Sequence, residues 1–198
     1  MSEFVKAAQN GDLNEVKRLF ALNPGIINEK DREKDTAIMK ACRDCNAVNV
    51  VAFLLENGAN INDREYHDLI DQTPLIIAAF NGCTDIVRML LDAGANIEHK
   101  NDQGENALIS AVQEGHIDTV KLLLDAGADV NQSNTDGETA LDLAIRLRQK
   151  KELIDLLREK TDGAMGIKKK VKKRSKRMKE RTQKKRKRSK RTIKRRKE

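Results

Sequence analysis

The chain has 198 residues, with 39 Lys and Arg against 31 Asp and Glu, a net charge of +8, and only 3% aromatic residues. No apolar run approaches the roughly 20 residues of a transmembrane helix. The first residues, MSEFVKAAQN, contain neither an apolar signal-peptide core nor an Arg-rich transit sequence. We therefore expect no membrane span, no secretory leader, and one or two domains.

Charge is distributed unevenly along the chain. Residues 165–198 contain 21 Lys and Arg and 2 Glu, a net charge of +19. The preceding 164 residues contain 18 Lys and Arg and 29 Asp and Glu, a net charge of −11. This division predicts an acidic body, residues 1–164, followed by a basic tail, residues 165–198.

Pairs of short helical patterns follow one another along the body. In chain order they predict five units, at about residues 3–30, 31–67, 68–100, 101–133 and 134–162. Good N-cap residues stand at equivalent places before the first helix of four units, namely Thr36, Thr73, Asn106 and Thr139. Pro74 suits the first helical position and Gly94 suits a helix C-terminus. Such short apolar helices need neighbours to be stable in water.

The units repeat at a fixed period. Leu75, Leu108 and Leu141 are 33 residues apart, and Gly82 and Gly115 have the same separation. The second unit carries one extra residue within Ile38–Gly58, about three more lie between Gly58 and Leu75, and the first unit is a shortened copy. A repeat of this length predicts a solenoid in which each unit buries its faces against its neighbours.

These motifs resemble the ankyrin repeat family over roughly residues 3–160. The match rests on Thr73-Pro74-Leu75, Ala78-Ala79, Gly115-His116 and the segments LLDAGANIE (90–98) and LLLDAGADVN (122–131). The resemblance implies an all-α helix-turn-helix solenoid with short β-hairpin loops. The sequence departs from the family pattern at Arg148, which replaces the glycine between the two helices of the last unit.

The end units differ from the inner ones at one position of the second helix. Inner units have Phe53, Met89 and Leu122 there, whereas the first and last units have Arg18 and Asp155. End repeats must expose one polar face to water. We therefore predict that the first and last units are capping repeats.

The resemblance also implies a binding surface for a protein partner. In the family, the hairpins and the inner helices line a concave face that binds proteins. The corresponding positions combine acidic residues with an apolar centre, as interaction surfaces do. They are Leu69, Ile70, Gln72, Ile76, Phe80, Asp102, Gln103, Glu105, Ile109, Gln113, Asp136 and Glu138. The alternative is that some of these side chains pack inside the solenoid and that the acids only maintain solubility.

The cysteines and histidines do not form a catalytic pattern. Cys42-x-x-Cys45 and Cys83 lack the fourth ligand of a zinc site and the βαβ context of a redox motif. Three cysteines in a chain without a secretory leader favour a reducing compartment and no disulfide framework. We expect no catalytic residue, no metal, no cofactor and no small-molecule substrate, and hence no enzyme.

The basic tail carries the clearest functional signal. Lys and Arg bind phosphates through counterion release, and the absence of aromatic residues argues against base stacking. We predict backbone binding to nucleic acid, more readily RNA than DNA. The tail should be disordered, or helical when bound. The residues concerned are Lys168, Lys169, Lys170, Lys172, Lys173, Arg174, Lys176, Arg177, Lys184, Lys185, Arg186, Lys187, Arg188, Lys190, Arg191, Lys194, Arg195, Arg196 and Lys197.

Runs of this kind also match nuclear-import signals, so the expected location is nuclear or nucleolar in a eukaryote and cytoplasmic otherwise. The leading hypothesis is a non-enzymatic adaptor that joins a protein partner to nucleic acid. The first alternative is a structural component or assembly factor of a large ribonucleoprotein such as the ribosome. The second is a tail that covers the acidic face until a partner displaces it. A membrane partner is not expected, because no apolar anchor accompanies the charge.

Overall fold

The computed structural model describes residues 2–67 and 70–163, without the side chains of residues 65–67 and 70. The chain divides into two compact units, residues 1–157 and 158–198. Of the second unit only residues 158–163 are described, and they are helical. The predicted boundary at residue 164 stays a prediction. Within the described residues, no helix combines the length and the apolar character needed to cross a membrane.

In the described part of residues 1–157, short helices follow one another along the chain, with one pair of β-strands among them. In chain order, the described elements with both ends defined are α1 Glu3–Gln9, α2 Leu13–Leu22, a 3-10 helix at Pro24–Asn28, α3 Ala37–Ala41, α4 Val48–Glu56, β1 Glu65–His67, β2 Ile70–Gln72, α5 Pro74–Phe80, α6 Thr84–Asp92, α7 Ala107–Glu114, α8 Ile117–Asp125 and α9 Ala140–Arg146. Residues 151–157 are also helical.

The helices begin where the N-cap residues predict. The side chains of Thr73, Asn106 and Thr139 each accept a hydrogen bond from the backbone N–H three residues later. Pro74 occupies the first turn of α5, where its missing N–H costs nothing. Asn106 is the best placed, because its Oδ1 lies 3.0 Å from the backbone nitrogen of Ile109. These caps set the start of every inner helix from α5 onward.

The helices form two layers. Inner helices α1, α3, α5, α7 and α9 pack in succession, and outer helices α2, α4, α6 and α8 do the same. Leu75 on α5 and Leu108 on α7 are each 1% exposed, at equivalent positions of adjacent repeats. Burying side chains from both neighbours offsets the low stability of helices this short. The predicted all-α solenoid of repeats is confirmed.

The loops that follow the outer helices are joined by a ladder of polar contacts. In each case a side-chain oxygen of one loop accepts a hydrogen bond from a backbone N–H of the next loop. The pairs are Asn28 with Asn60 at 2.8 Å, Asn62 with Asn96 at 3.0 Å, and Glu98 with Asp129 at 2.8 Å. The ladder satisfies exposed backbone donors and keeps successive repeats in register.

Short hairpins precede the inner helices, as the resemblance implies. In the third repeat, β1 and β2 pair antiparallel, with Glu65 opposite Gln72 and Tyr66 opposite Asp71. The other hairpins are tighter turns. In these, the N–H of Asp31, Asn101 or Asn134 donates to the carbonyl oxygen four residues later at 2.9–3.0 Å.

The ends of the solenoid are polar at the predicted positions. The Arg18 side chain is 57% exposed and pairs with Glu15 at 2.7 Å. The Asp155 side chain is 48% exposed and pairs with Lys151 at 2.8 Å. The equivalent inner residues Phe53, Met89 and Leu122 are half-buried between repeats. This contrast agrees with the prediction of capping repeats.

The expectation that no disulfide forms is wrong. Cys45 and Cys83 are joined by a disulfide bond across 38 positions of sequence, and their Cα atoms are 4.7 Å apart. Cys45 lies in the turn after α3 and Cys83 caps α6, so the bond crosses from the second repeat to the third. Stacking of the repeats brings together two cysteines that sequence distance alone does not connect. Cys42 is a free, buried thiol, and burial raises the pKa of Cys42 well above its usual range.

Candidate protein-binding surface

Hairpins and inner helices together form one exposed face, called here the hairpin face. The second to fifth repeats each contribute the last hairpin residue and the residue eight positions later, near the C-terminal end of the inner helix. These positions are Asp35 and Arg43, Gln72 and Phe80, Glu105 and Gln113, and Glu138 and Arg146. The face therefore has one such pair of positions in each of these four repeats.

The hairpins that support this face are rigidly built. Three of them have a first residue whose Oδ1 accepts two backbone N–H groups of the same turn. Asp31, Asn101 and Asn134 do so at distances of 2.8–3.1 Å. Such turns hold their shape without a long strand pair. They fix the positions of the hairpin tips relative to the inner helices.

In three of the four repeats the two positions are joined by a polar contact. The acceptor comes from the hairpin, and the donor comes from the inner helix or, for Arg43, from the turn just after it. The contacts are Arg43 to Asp35 at 3.3 Å, Gln113 to Glu105 at 2.7 Å, and Arg146 to Glu138 at 2.6 Å. The hydrogen bond from Arg146 is the main cause that lowers the pKa of Glu138. These acids are thus already partnered in the free protein.

The third repeat breaks this pattern. Its helix position is Phe80, which cannot donate a hydrogen bond to Gln72 and is 42% exposed. The other paired positions in the described residues carry polar or charged side chains, so Phe80 is the exposed apolar side chain in this set. A single apolar side chain among saturated polar pairs is the arrangement expected of a binding anchor.

The predicted partner-binding residues fall into distinct groups in the structure. Asp102, Gln103 and Asp136 are exposed on hairpin tips. The half-buried residues lie at the paired positions, and they are Gln72, Glu105, Gln113 and Glu138. Thr135 donates to the Gln103 carbonyl oxygen through both its backbone N–H at 2.9 Å and its hydroxyl at 3.0 Å. These two hydrogen bonds join the hairpin tips of the fourth and fifth repeats.

Two predicted contact residues do not lie on this face. Ile76 and Ile109 are each 1% exposed, because their side chains are enclosed by the packed inner helices. The alternative that some of these residues pack inside the solenoid is correct for both. Leu69, the side chain of Ile70 and every predicted nucleic-acid-binding residue of the tail lie outside the described part of the chain.

A cluster of carboxylates resembles a metal site but already contains a cation. Oxygen atoms of Asp31, Glu33 and Asp35 lie within 4.8 Å of one another. The Lys40 ammonium lies 2.6 Å from Asp35 and also contacts Glu33. Burial disfavours the charge on Lys40, but the hydrogen bonds that Lys40 donates to Asp35 and Glu33 outweigh it and raise the pKa of Lys40 above its usual range. The cluster is a buried ion pair that supports the hairpin of the second repeat, residues 31–35.

A second ionic cluster lies beneath the hairpin formed by β1 and β2. Asp71 is 3% exposed, and Arg64 lies 2.6 Å from its carboxylate. The His99 ring is 4.0 Å from the same carboxylate. Burial lowers the pKa of His99, while the Asp71 charge raises it less, so the net shift is downward. The cluster places the His99 ring beside the ion pair of Arg64 and Asp71.

An open polar groove of about 350 Å³ runs beside the turns between helices, lined in part by His116, Asp118, Lys150 and Glu152. The histidine in this groove already forms a hydrogen bond with another repeat. His116 Nε2 lies 2.9 Å from the Phe80 carbonyl oxygen, and because a carbonyl only accepts, the ring donates. This contact joins the fourth repeat to the third.

Sequence reasoning missed both the paired positions and the disulfide. The pairs could have been found, because the spacing of eight residues between hairpin and helix recurs in the four repeats. The disulfide carried no comparable signal. The extra residue in the second repeat shifts Cys45 out of register with Cys83, so an alignment of the repeats does not place the two cysteines at the same position.

Comparisons with known proteins agree with this architecture. The family model for ankyrin repeats, in three copies, matches residues 4–101 and 94–172. The chain is similar to the E3 ubiquitin-protein ligase XB3 of Oryza sativa subsp. japonica, with 32% identity over 95 residues, 48% of this chain and 20% of that protein.

Two further relatives are animal proteins. Protein fem-1 homolog A of Danio rerio is 43% identical over 58 residues, 29% of this chain and 9% of that protein. Ankyrin repeat and SOCS box protein 11 of Homo sapiens is 32% identical over 103 residues, 52% of this chain and 30% of that protein. The chain thus spans less than a third of the length of these relatives. The family model covers most of the chain and the structure shows its paired helices in two layers, so this protein belongs to the ankyrin repeat family.

Proposed function

We propose that this protein is a non-enzymatic adaptor. Its hairpin face binds a protein partner, with Phe80 as the apolar anchor and the exposed hairpin tips as the polar rim. Ankyrin repeats are a protein-interaction scaffold, which supports the general role. The observation that supports this particular face is the exposure of Phe80 among positions that are otherwise joined in polar pairs.

The surroundings of Phe80 favour a basic partner segment with one large apolar side chain. The body carries a net charge of −11, and the exposed tip residues Asp102 and Asp136 add to its negative field. Complementary charge accelerates association and fixes orientation, whereas the apolar anchor supplies affinity. The acids Glu105 and Glu138 contribute less, because they already accept hydrogen bonds from Gln113 and Arg146.

The partner can be identified by crosslinking at an exposed hairpin tip, and the contribution of Phe80 to its affinity can be measured by substitution. A photo-crosslinking residue at Gln103 of the full chain should attach covalently to the partner. Phe80→Gln, which installs the residue of the next repeat, should weaken binding of the purified partner at least about tenfold, or about 1.4 kcal/mol. Gln113→Ala is the matched control and should change affinity less than about threefold. Equal affinities for the Phe80 variant and the native chain would exclude the anchor.

The basic tail supplies the second half of the proposed function. Its 21 Lys and Arg bind the phosphate backbone of nucleic acid, RNA in preference to DNA, with little dependence on base sequence. The tail also serves as a nuclear-import signal in a eukaryotic cell. The support is compositional, namely a net charge of +19 over 34 residues without an aromatic side chain.

Salt dependence tests the tail. For the full chain binding a mixed-sequence single-stranded RNA, log K should fall with log salt by about 0.7 for each phosphate neutralised. Replacing the five residues Lys184, Lys185, Arg186, Lys187 and Arg188 by Gln should reduce that slope in proportion. Undiminished RNA affinity after all the basic tail residues are replaced by Gln would contradict the proposal. Cell imaging of the same variants fused to a fluorescent protein tests import.

A structural role in a ribonucleoprotein is the second candidate. A long basic segment without aromatic residues suits threading among RNA helices, where it neutralises phosphates. Co-sedimentation separates the candidates, because a structural component remains with the particle through a salt wash that removes an adaptor. The ligase activity in the name of the rice relative is not proposed here, since the match covers only 20% of that protein.

A further inference from the structure

The disulfide connects two repeats through the turns between their helices. Cys45 lies among residues 42–47, a turn twice as long as residues 81–83 of the third repeat, where Cys83 lies. The longer turn lets Cys45 extend toward the following repeat. The bond closes a loop that contains α4, the β-hairpin and α5. It is therefore a covalent tie between adjacent repeats.

The two repeat junctions that follow the disulfide have a hydrogen bond at the equivalent place. His116 of the fourth repeat donates to the Phe80 carbonyl oxygen of the third at 2.9 Å. Gln149 of the fifth repeat donates to the Gln113 carbonyl oxygen of the fourth at 2.7 Å. Cys83, His116 and Gln149 are spaced 33 residues apart and occupy the same repeat position. At the junction of the second and third repeats the disulfide takes the place of this hydrogen bond.

The two cysteines differ in exposure to solvent. Cys45 is exposed, whereas Cys83 is 2% exposed. A thiolate from solution therefore reaches the Cys45 sulfur and not the Cys83 sulfur, and access decides which sulfur is attacked. The remaining cysteine, Cys42, is fully buried. Its burial disfavours the thiolate, so Cys42 does not exchange with the pair.

We propose that Cys45 and Cys83 form a reversible thiol–disulfide exchange site whose reactants are low-molecular-weight thiols and their disulfides, and that its state controls the coupling of the second and third repeats. A small-molecule thiolate attacks the Cys45 sulfur, forms a mixed disulfide and releases the Cys83 thiolate, which takes up a proton. A second small thiol then attacks the mixed disulfide and releases Cys45. The protein gains two thiol protons and two electrons, and the two small thiols become one disulfide.

Reduction weakens one junction and leaves the others intact. Reduced Cys83 has only a weak contact available, since its sulfur is 4.0 Å from the Asn81 carbonyl oxygen. In a repeat solenoid each unit is stabilised by its neighbours, so weakening one interface loosens the repeats on one side of it. The affected part is the first two repeats, α1 to α4. The proposal does not depend on the partner or nucleic acid of the adaptor function.

A redox titration of the full chain tests the chemistry. The protein is equilibrated with mixtures of reduced and oxidised glutathione, acid-quenched, alkylated and analysed by mass spectrometry. Cys45 and Cys83 should become alkylated together in one two-electron transition, and a mixed disulfide should be found on Cys45. Transfer of glutathione to Cys83 alone, or free thiols at both positions under the most oxidising mixture, would overturn the proposal.

Stability measurements test the coupling. The oxidised native chain should melt roughly 10 °C higher than the reduced chain, as expected for a loop of this length. Cys45→Ala, at an exposed position, should melt like the reduced native chain under both conditions. Cys42→Ala is the control and should keep the redox difference. Loss of that difference in Cys42→Ala, or its persistence in Cys45→Ala, would refute the assignment.

Hydrogen exchange locates the effect. On reduction, backbone amides of α3 and α4 should exchange at least about tenfold faster, whereas those of α7 and α8 should be unchanged. Acceleration spread equally over all repeats would show that the bond stabilises the unit as a whole and would exclude a local coupling.

Discussion

The third and fourth repeats share one scaffold and differ in what they present. Their inner helices α5 and α7 bury Leu75 and Leu108, and their outer helices α6 and α8 bury Val87 and Val120. At the hairpin face, however, Phe80 stands where Gln113 stands one repeat later. At the turn between helices, Cys83 forms a disulfide where His116 forms a hydrogen bond. The two repeats share the buried positions of their helices and differ at the hairpin face and in the turn between the helices.

The largest expected effect tests the shared core. Ile109→Ala should lower the free energy of unfolding by about 3 kcal/mol, because the side chain is 1% exposed and its removal leaves a cavity. Urea denaturation monitored by circular dichroism measures the change. Ile76→Ala in the third repeat should have a similar cost. A loss below about 1 kcal/mol for both would mean that these residues are not core residues.

The next effect concerns the close approach of the two turns. Gly82 has φ +72°, and a Cβ placed there would meet the His116 ring. Gly82→Ala should therefore cost about 2 kcal/mol, from the left-handed backbone and the displaced ring. Gly94→Ala is the matched control, since Gly94 has φ +88° with no atom within 4 Å of the added Cβ. Equal costs for the two variants would show that the His116 contact adds nothing.

A smaller effect is expected from the hydrogen bond that replaces the disulfide. His116→Ala should destabilise the chain by about 1 kcal/mol, the usual net contribution of one hydrogen bond. Gln149→Ala at the next junction should cost a similar amount, because its contact with Gln113 has the same form. Both values come from urea unfolding under oxidising conditions. Neutral effects at both junctions would mean that only the disulfide ties adjacent turns.

The smallest effect is a pH dependence of the free energy of unfolding that arises from His99, beside the hairpin formed by β1 and β2. Because burial lowers the pKa of His99 from its ordinary value of 6.5, the folded state binds fewer protons there than the unfolded state. This contribution to stability is complete above pH 6.5 and is lost as the pH falls toward the lowered pKa. The midpoint of urea unfolding should therefore fall between pH 7.5 and pH 5.5 by less in His99→Gln than in the native chain. An identical fall in both would exclude this role of His99.

Much of the fold followed from local patterns. Thr73 and Asn106 predicted the starts of α5 and α7, and the spacing of Leu75 and Leu108 predicted equivalent buried positions. The candidate surface was predicted only in part. Phe80 is exposed as expected, but Ile76 and Ile109 are buried, because the repeat pattern does not tell which apolar side of a helix its neighbour covers.

By itself, the sequence determined the repeat, the caps and the separation of acidic body from basic tail. Each of these depends on spacing or composition, and both are properties of the linear chain. Only the tertiary structure decided that Cys45 meets Cys83 and that Phe80 interrupts a row of polar pairs. The disulfide depends on how adjacent repeats stack, because its two cysteines lie 38 positions apart. The polar pairs depend on how each hairpin folds against its own inner helix, because their members lie eight positions apart. The core could be recognised within one repeat, whereas the ties between repeats required the assembled solenoid.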